Sequence, residues 1–353
     1  MIEYICLKDK NKWNNIVTSF IHHDIYYLPG YLAAFHLHGD GEPILVSYQG
    51  EGIRGICVYM MRDIANEKWA TKDIKKGEWY DVVTPYGYGG WIFEGDLSEP
   101  KIKTFWKEYT SYMKNQHIVC AFTRWHALLQ NQNILRGFSN IIDLGKTVHI
   151  DTSNVELIMQ NIRSKDRTTI RKAVKNGVIV DHSNDPSLFE DFIRIYNSTM
   201  DKDNAEKYYY FEKEFYDSIV SDMPNNWEMF YALLDGKIIA MSIILFCNGM
   251  MHYHLSGSLL EYRKLNATNL ILYEAAVYGA KHGYSKFHLG GGVGSGDDPL
   301  YKFKKSFNKN SDNQFSISKD IFDKEVYQKI VSLRKKNDLS FNEESSFFPL
   351  YRS

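Results

Sequence analysis

The sequence predicts an α/β protein of the α+β kind, organised as two tandem domains, each a mixed and mostly antiparallel sheet flanked by helices. Three observations predict it. The chain has 353 residues, more than one ordinary domain needs and enough for two cores. In its second half, β-rich runs are divided by Asp235-Gly236 and Asn248-Gly249, dipeptides that suit the tight turns of antiparallel hairpins. Between such runs stand segments with apolar residues three and four apart, the spacing of one helical face.

Taken in order, PILVSYQGEGIRGICVYMMRDI after Glu42 reads as two strands around a Gly-rich turn. A helix follows Ser98 and Pro100, with Ile102, Phe105, Trp106, Tyr109, Tyr112 and Met113 on one face. Near Val148 a second unit opens, and Ser153 with Glu156 reads as a capping box before Val155, Ile158, Met159 and Ile162. KDRTTIRKAVKNG is a short basic helix stopped at Asn176 and Gly177. Asp185 and Pro186 start another helix, with Phe192, Ile195 and Tyr196 as its buried side. MFYALLDGKIIAMSIILFCNGMMHYHLSGS is a three-stranded meander, followed by a helix from Thr268 to His282 closed by Gly283. A short strand, SKFHL, ends in three glycines. Asp298 then caps a helix with Pro299 in its first turn and Leu300, Phe303 and Phe307 on one face.

Composition narrows the function classes. Lys and Arg number 42 against 43 Asp and Glu, so bulk charge signals no nucleic-acid partner and an anionic ligand must meet a local patch. Cys6, Cys57, Cys120 and Cys247 lie far apart with no C-x-x-C pair, which points to neither disulfides nor a metal and suits a reducing compartment. The N-terminal MIEYICLKDKNKW lacks a signal-peptide pattern, and the longest apolar stretch, from Ile238 to Met251, is too short to span a bilayer. A soluble, cytoplasmic protein is expected. The 25 Tyr and 20 Phe suggest a Tyr-lined groove.

Meander, helix, strand and helix in that order describe the core of a GNAT acyltransferase, and the earlier hairpin with its aromatic-faced helix reads as a degenerate second copy. The expected domains are 1–147 and 148–353, with the acyl-donor slot in the latter. Spaced strings carry a further resemblance: TPYGYGGW from Thr84, FTRWHALLQN from Phe122, RTTIRKAVKNGVIV from Arg167, IYNSTMDKDNAEKYYYF from Ile195, HYHLSGS from His252, HLGGG from His288, and DPLYKFKKSF. Together they cover most of the chain, which resembles the Fem family of peptidoglycan bridge-forming aminoacyltransferases and the related GNAT-like proteins with a BioF2-type acetyltransferase domain. It departs from that family in lacking a heptad-patterned insertion for a coiled-coil arm. Lys202 also stands where relatives often have Arg, which keeps the charge but loses the bidentate fork.

Acyl transfer to an amine requires a neutral nucleophile, stabilisation of the oxyanion and close placement of two substrates. In a GNAT sheet two neighbouring parallel strands splay apart and free N–H groups for the acyl carbonyl; here they would be HYHLSGS and SKFHLGGG. Gly290, Gly291 and Gly292 either let a ligand approach the main chain or make a flexible strand exit. Their spacing fits no dinucleotide or Walker loop. The resemblance implies that the Lys304 ammonium stabilises the tetrahedral intermediate, although Lys302, Lys305 and Lys309 beside it also read as a solvated charge run. In acyl-CoA enzymes of the fold, a pyrophosphate rests on a helix N-terminus behind Arg or Gln, two residues, Gly, one residue, and Gly or Ala. The corresponding donor-binding residues here are Arg263, Asn266 and Thr268. With side chains in both glycine positions, Asn266 and Thr268 disfavour a CoA pyrophosphate and turn the expectation toward an aminoacyl-tRNA.

For the acceptor, Arg167 and Arg171 share one face of the basic helix and suit a diphosphate or tRNA backbone, or simply line an exposed amphipathic helix. Tyr86 and Tyr88 among glycines offer stacking plates, or cover the core. Asp81 is a candidate general base, or a local cap. His252 and His254 alternate on one strand face, with neither assigned as base. The resemblance adds substrate contacts at Arg124, His126, Lys202, Tyr209, His254 and Ser256. The expectation is an N-acyltransferase acting on a nucleotide- or lipid-linked cell-envelope precursor. It would hold no tightly bound cofactor or metal, its acyl donor (aminoacyl-tRNA, or acyl-CoA) being a co-substrate. The alternatives are a CoA-dependent N-acetyltransferase of surface-polysaccharide amino sugars and a non-catalytic GNAT-fold binding protein.

Overall fold

A computed structural model describes the chain apart from Glu51, Thr71 and Lys72. The chain divides into two compact units, Met1–Leu144 with Phe315–Ser353, and Gly145–Gln314. In the first, β1 (Ile2–Cys6), α1 (Lys10–Thr18), α2 (Pro29–His38), β2 (Glu42–Gln49) and β3 (Ile53–Asp63) are followed by β4 (Tyr80–Val83), β5 (Ile92–Gly95), α3 (Glu99–Asn115) and β6 (Ile118–Arg124). The expected hairpin is β2 and β3, paired from Glu42↔Met61 to Gln49↔Arg54. Helix α3 buries Ile102, Phe105, Tyr109 and Met113 against Trp91, Phe93, Tyr48 and Tyr59, with Trp106 and Tyr112 at the margin. Phe105 meets Trp91 and Phe93 edge-on, with centroids 4.7 and 4.8 Å away, a packing that rings with negative faces and positive edges prefer.

The chain passes into the second unit within β7 (Ile141–Asp151), and α4 (Val155–Asn161), α5 (Ser164–Lys175), β8 (Ile179–Ser183), α6 (Leu188–Lys202) and α7 (Lys213–Asp222) follow. The meander β9 (Trp227–Leu234), β10 (Lys237–Cys247) and β11 (Met250–Ser258) follows, then α8 (Ala267–Lys281), β12 (Lys286–Gly290) and α9 (Pro299–Lys305). Both meander turns have positive φ at their central residues: Asp235 50° and Gly236 79°, then Asn248 47° and Gly249 75°. That is the hand that matches strand twist. Two start signals are corrected. Asn154, not Ser153, caps α4 by accepting from the Glu156 amide, because Ser153 turns its hydroxyl to Asp151. Asp185 closes a turn by accepting from the Ser187 amide, and α6 begins at Leu188.

The chain ends with β13 (Asn313–Ile321) and α10 (Lys324–Asn337). Residues 315–353 return to the first unit, where Ile317↔Arg124 through Ile321↔Cys120 pair antiparallel; the expected second domain carried them with 148–314. Each unit repeats one pattern of strand pairing. In the first, β1-β2-β3-β4 are successively antiparallel, β4 and β6 parallel, and β6 and β13 antiparallel. In the second, β8-β9-β10-β11 are antiparallel, β11 and β12 parallel, and β12 and β7 antiparallel. The tandem organisation is thus present as topology.

Candidate functional site

The parallel pair of the second unit opens. β11 and β12 match only at Met250↔Lys286, Met251↔Phe287 and His252↔His288, while β11 runs on beside β10 as far as Ala240↔Ser258. Register on β10 steps from Ile244↔Tyr253 to Ile243↔Leu255, so His254 is the extra residue of a bulge. A bulge bends its strand and disturbs the ladder. On the other side, β12 shifts register against β7 between His288 and Gly290, and Gly290 takes φ 78°, which a residue without Cβ adopts freely. Beyond His252 the β12-facing edge of β11 therefore has no strand partner in β12.

Just past that opening, Lys304 is 9% exposed and its Nζ donates to the Gly291 carbonyl at 2.7 Å. Burial pushes the ammonium down to about 8, partly offset by Asp298. Asp298 caps α9 by accepting from the Tyr301 amide at 2.9 Å through Oδ1; its Oδ2 is buried without a hydrogen-bond partner among the described residues. A Cβ on Gly292 would lie 2.1 Å from that oxygen, so Gly292 is glycine for close approach. The arrangement brings together Lys304, Gly291, Gly292 and Asp298, the last unforeseen as a site residue although its N-cap position is plain from the sequence.

Three histidines border the same strands. His252 and His288 are buried, with ring centroids 5.9 Å apart, and His288 Nε2 pairs with the Thr147 hydroxyl at 2.9 Å. Burial and then His252 push His254 down to about 3, so it is neutral at physiological pH. Ser256 shares a 2.8 Å contact with Ser242 and donates to the Met241 carbonyl. In the turn before α8, Arg263 is exposed, and Asn266 has φ 56° with its amide donating to the Lys264 carbonyl. Thr268 stands in the first turn of α8, half-buried.

Asp81 is corrected from general base to structural anion. It is fully buried; Oδ1 accepts from Arg62, and Oδ2 accepts from Arg352 at 2.6 Å and Tyr351 at 3.0 Å. Two guanidiniums and a phenol leave it no path to a substrate. His126 is likewise corrected: it is fully buried, 2.6 Å from Asp24 Oδ2. Tyr86 stacks on Phe35 and Tyr88 meets Tyr26 and Phe315 edge-on, so both half-buried rings pack against aromatic residues of their own unit. The Arg124 guanidinium lies 5.1 Å over the Phe122 ring and donates to the Thr84 carbonyl. Asn131, in the same string, ties the glycine loop by donating to the Gly89 and Trp91 carbonyls. The parallel pair here stays closed: β4 and β6 match from Tyr80↔Ile118 to Val83↔Phe122, the Thr84 amide continues to Phe122, and Gly89 bridges Trp125. An open groove of about 520 Å³ bordered by Glu99, Ile102, Asn133 and Arg136 lies in this unit and shares no residue with the opened strands.

The remaining acceptor candidates do not converge. Arg167 turns back to the Met159 and Ile162 carbonyls at the end of α4, a cationic C-cap, while Arg171 is exposed. Lys202 pairs with Asp203 at 3.2 Å, and Tyr209 meets Tyr208 edge-on. Among the described residues no three His, Cys, Asp or Glu side chains are grouped to hold a metal, and no helix is long and apolar enough to cross a membrane.

Residues 160–305 match the family model of the acetyltransferase (GNAT) domain, which contains β11, α8, β12 and Lys304. No curated protein matches the chain. Among solved structures, the chain is similar to FemX (TM-score 0.63, 15% identity, 94% of this chain and 99% of that one). It is also similar to the C-terminal domain of a proposed lysylphosphatidylglycerol synthetase from Agrobacterium fabrum (0.55, 13%, 89% and 92%). A third is L-PGS from Bacillus licheniformis (0.50, 14%, 87% and 95%). At these identities the likeness is one of fold, and it extends over both units.

Proposed function

We propose that this acyltransferase of the GNAT type moves an aminoacyl group from a charged tRNA to an amine of a peptidoglycan-type or lipid-linked cell-envelope precursor. What carries the reading is the opening between β11 and β12, with a buried ammonium at its glycine-lined exit. The acyl carbonyl would enter the opening and accept hydrogen bonds from β11 amides that have no partner in β12. Attack by the neutral amine forms the C–N bond and places negative charge on the carbonyl oxygen. Lys304, mostly protonated at pH 7, stabilises that charge. Collapse breaks the bond to the leaving oxygen, which takes up the proton the nitrogen loses. FemX and the C-terminal domain of the proposed lysylphosphatidylglycerol synthetase support an envelope acceptor by likeness of fold.

A second donor, acyl-CoA, is favoured by one observation. Asn266 adopts the left-handed backbone a glycine would take at that position, so the turn ahead of α8 follows a glycine-like path despite its side chains. Labelled acetyl-CoA and labelled aminoacyl-tRNA, each added to the pure protein, separate the two. The true donor raises the melting temperature and transfers its label to an added amine. Protection by acetyl-CoA alone would overturn the tRNA reading, and protection by neither would remove the donor slot.

A further inference from the structure

Past the bulge, every second residue of β11 turns its main-chain N–H and C=O away from β10, as in any antiparallel ladder. The Leu259 amide donates back to the Ile239 carbonyl, which sets the phase: Ser258 and Ser256 face the side that β12 has left, and Gly257, opposite Met241, does not. Ser258 is already closed. Its amide donates to the Thr199 hydroxyl of α6 at 2.9 Å, and its carbonyl lies 3.3 Å from the same oxygen. Helix α6 comes this near because Gly257 has no side chain; a Cβ there would lie 2.7 Å from the Tyr196 Cα. At the other end the strand is closed by pairing up to His252↔His288. Between these closures Ser256 faces an edge with no strand beside it among the described residues. Its hydroxyl is engaged by Ser242 and the Met241 carbonyl, so what it offers at that edge is main chain, one N–H and one C=O.

One open residue is matched by one residue's length of partner. In an antiparallel ladder two residues that face each other exchange both bonds, each N–H going to the other's C=O. An α-aminoacyl group carries the same pair, a carbonyl and an α-nitrogen that has a hydrogen to donate whether it is charged or neutral. A simple acyl group carries the carbonyl alone and would leave the Ser256 carbonyl unpaired once it had displaced water. We propose that the main chain of Ser256 selects the donor by reading a hydrogen-bond donor on the carbon next to the reacting carbonyl. The direction is fixed too. The Ser256 N–H lies on the Leu255 side, so the reacting carbonyl sits toward the fork with β12, and the α-nitrogen sits toward Thr199, which stops the slot after one residue. This rests on the acyl-transfer reading of the opening and adds to it which atoms of the donor are recognised.

The test compares four acyl groups, alanyl, lactoyl, propionyl and N-acetylalanyl, on each of two carriers: a stable 3′-amide at the end of a CCA trinucleotide, and CoA. Melting temperature of the full chain against ligand concentration gives each affinity. On the carrier that binds, propionyl should be about 10- to 100-fold weaker than alanyl. Lactoyl, whose hydroxyl replaces the amine as donor, should stay within about tenfold of alanyl. N-acetylalanyl keeps its N–H but carries extra atoms into the Thr199 stop and should give no protection. Equal affinity for alanyl and propionyl overturns the proposal and leaves the donor slot standing. Lactoyl as weak as propionyl overturns it as well, since the amine would then be read by a negative charge. N-acetylalanyl binding as tightly as alanyl overturns it by showing a site longer than one residue. Protection by none of the compounds removes the acyl-transfer reading itself, and the proposal with it.

Discussion

Lys304 holds a charge where water barely reaches, and the cost of that placement is measurable. With the buried ammonium lowered to about 8 against about 10.4 in an unfolded chain, the unfolded state binds more protons between those values. Stability therefore rises with pH from 8 to about 10. Lys304→Met should remove that rise in urea melts and gain up to about 3 kcal/mol at pH 7, less what the Gly291 carbonyl loses. Turnover should fall about 100- to 1000-fold with whichever donor works. In the native enzyme the rate should decline above pH 8 as the ammonium loses its proton. An unchanged rate would reassign Lys304 to structure. Asp81 marks the limit of reading residues from sequence: its partners Tyr351 and Arg352 lie at the far end of the chain, and no local pattern announces a buried ion cluster assembled by tertiary contacts.

Elements were legible where local chemistry decides them. Asp-Gly and Asn-Gly fixed the meander, the apolar spacing fixed α3, and the Asp298-Pro299 signal fixed α9. The wedge itself was expected only through the family resemblance, since splaying depends on the bulge at His254 and the register shift after His288, and bulges leave no clear sequence mark. Gly292 tests the exit of β12. Gly292→Ala drives a Cβ against Asp298 Oδ2 and should cost about 1–3 kcal/mol in thermal unfolding, with α9 and Lys304 displaced. A melting temperature equal to that of the native protein would show that the carboxylate moves aside without penalty.

At the scale of the whole molecule, the tandem plan was readable but its segmentation was not. Strand β13 completes the first unit by pairing with β6, and the α10 region supplies Ile330 and Tyr351 to a core with Trp69, Ile74 and Val119. A chain cut after Gln314 should lose the first unit, and limited proteolysis should leave a resistant fragment near 145–314. Survival of a protected 1–144 fragment instead would show that β13 is dispensable. The interleaving also orders events during synthesis. Every residue of the second unit is added to the chain before the 315–353 segment that completes the first, so residues 1–144 must wait, with the β6 edge uncovered, until synthesis has passed the whole second unit. Chaperones meeting the nascent polypeptide would find their client at its N-terminal end.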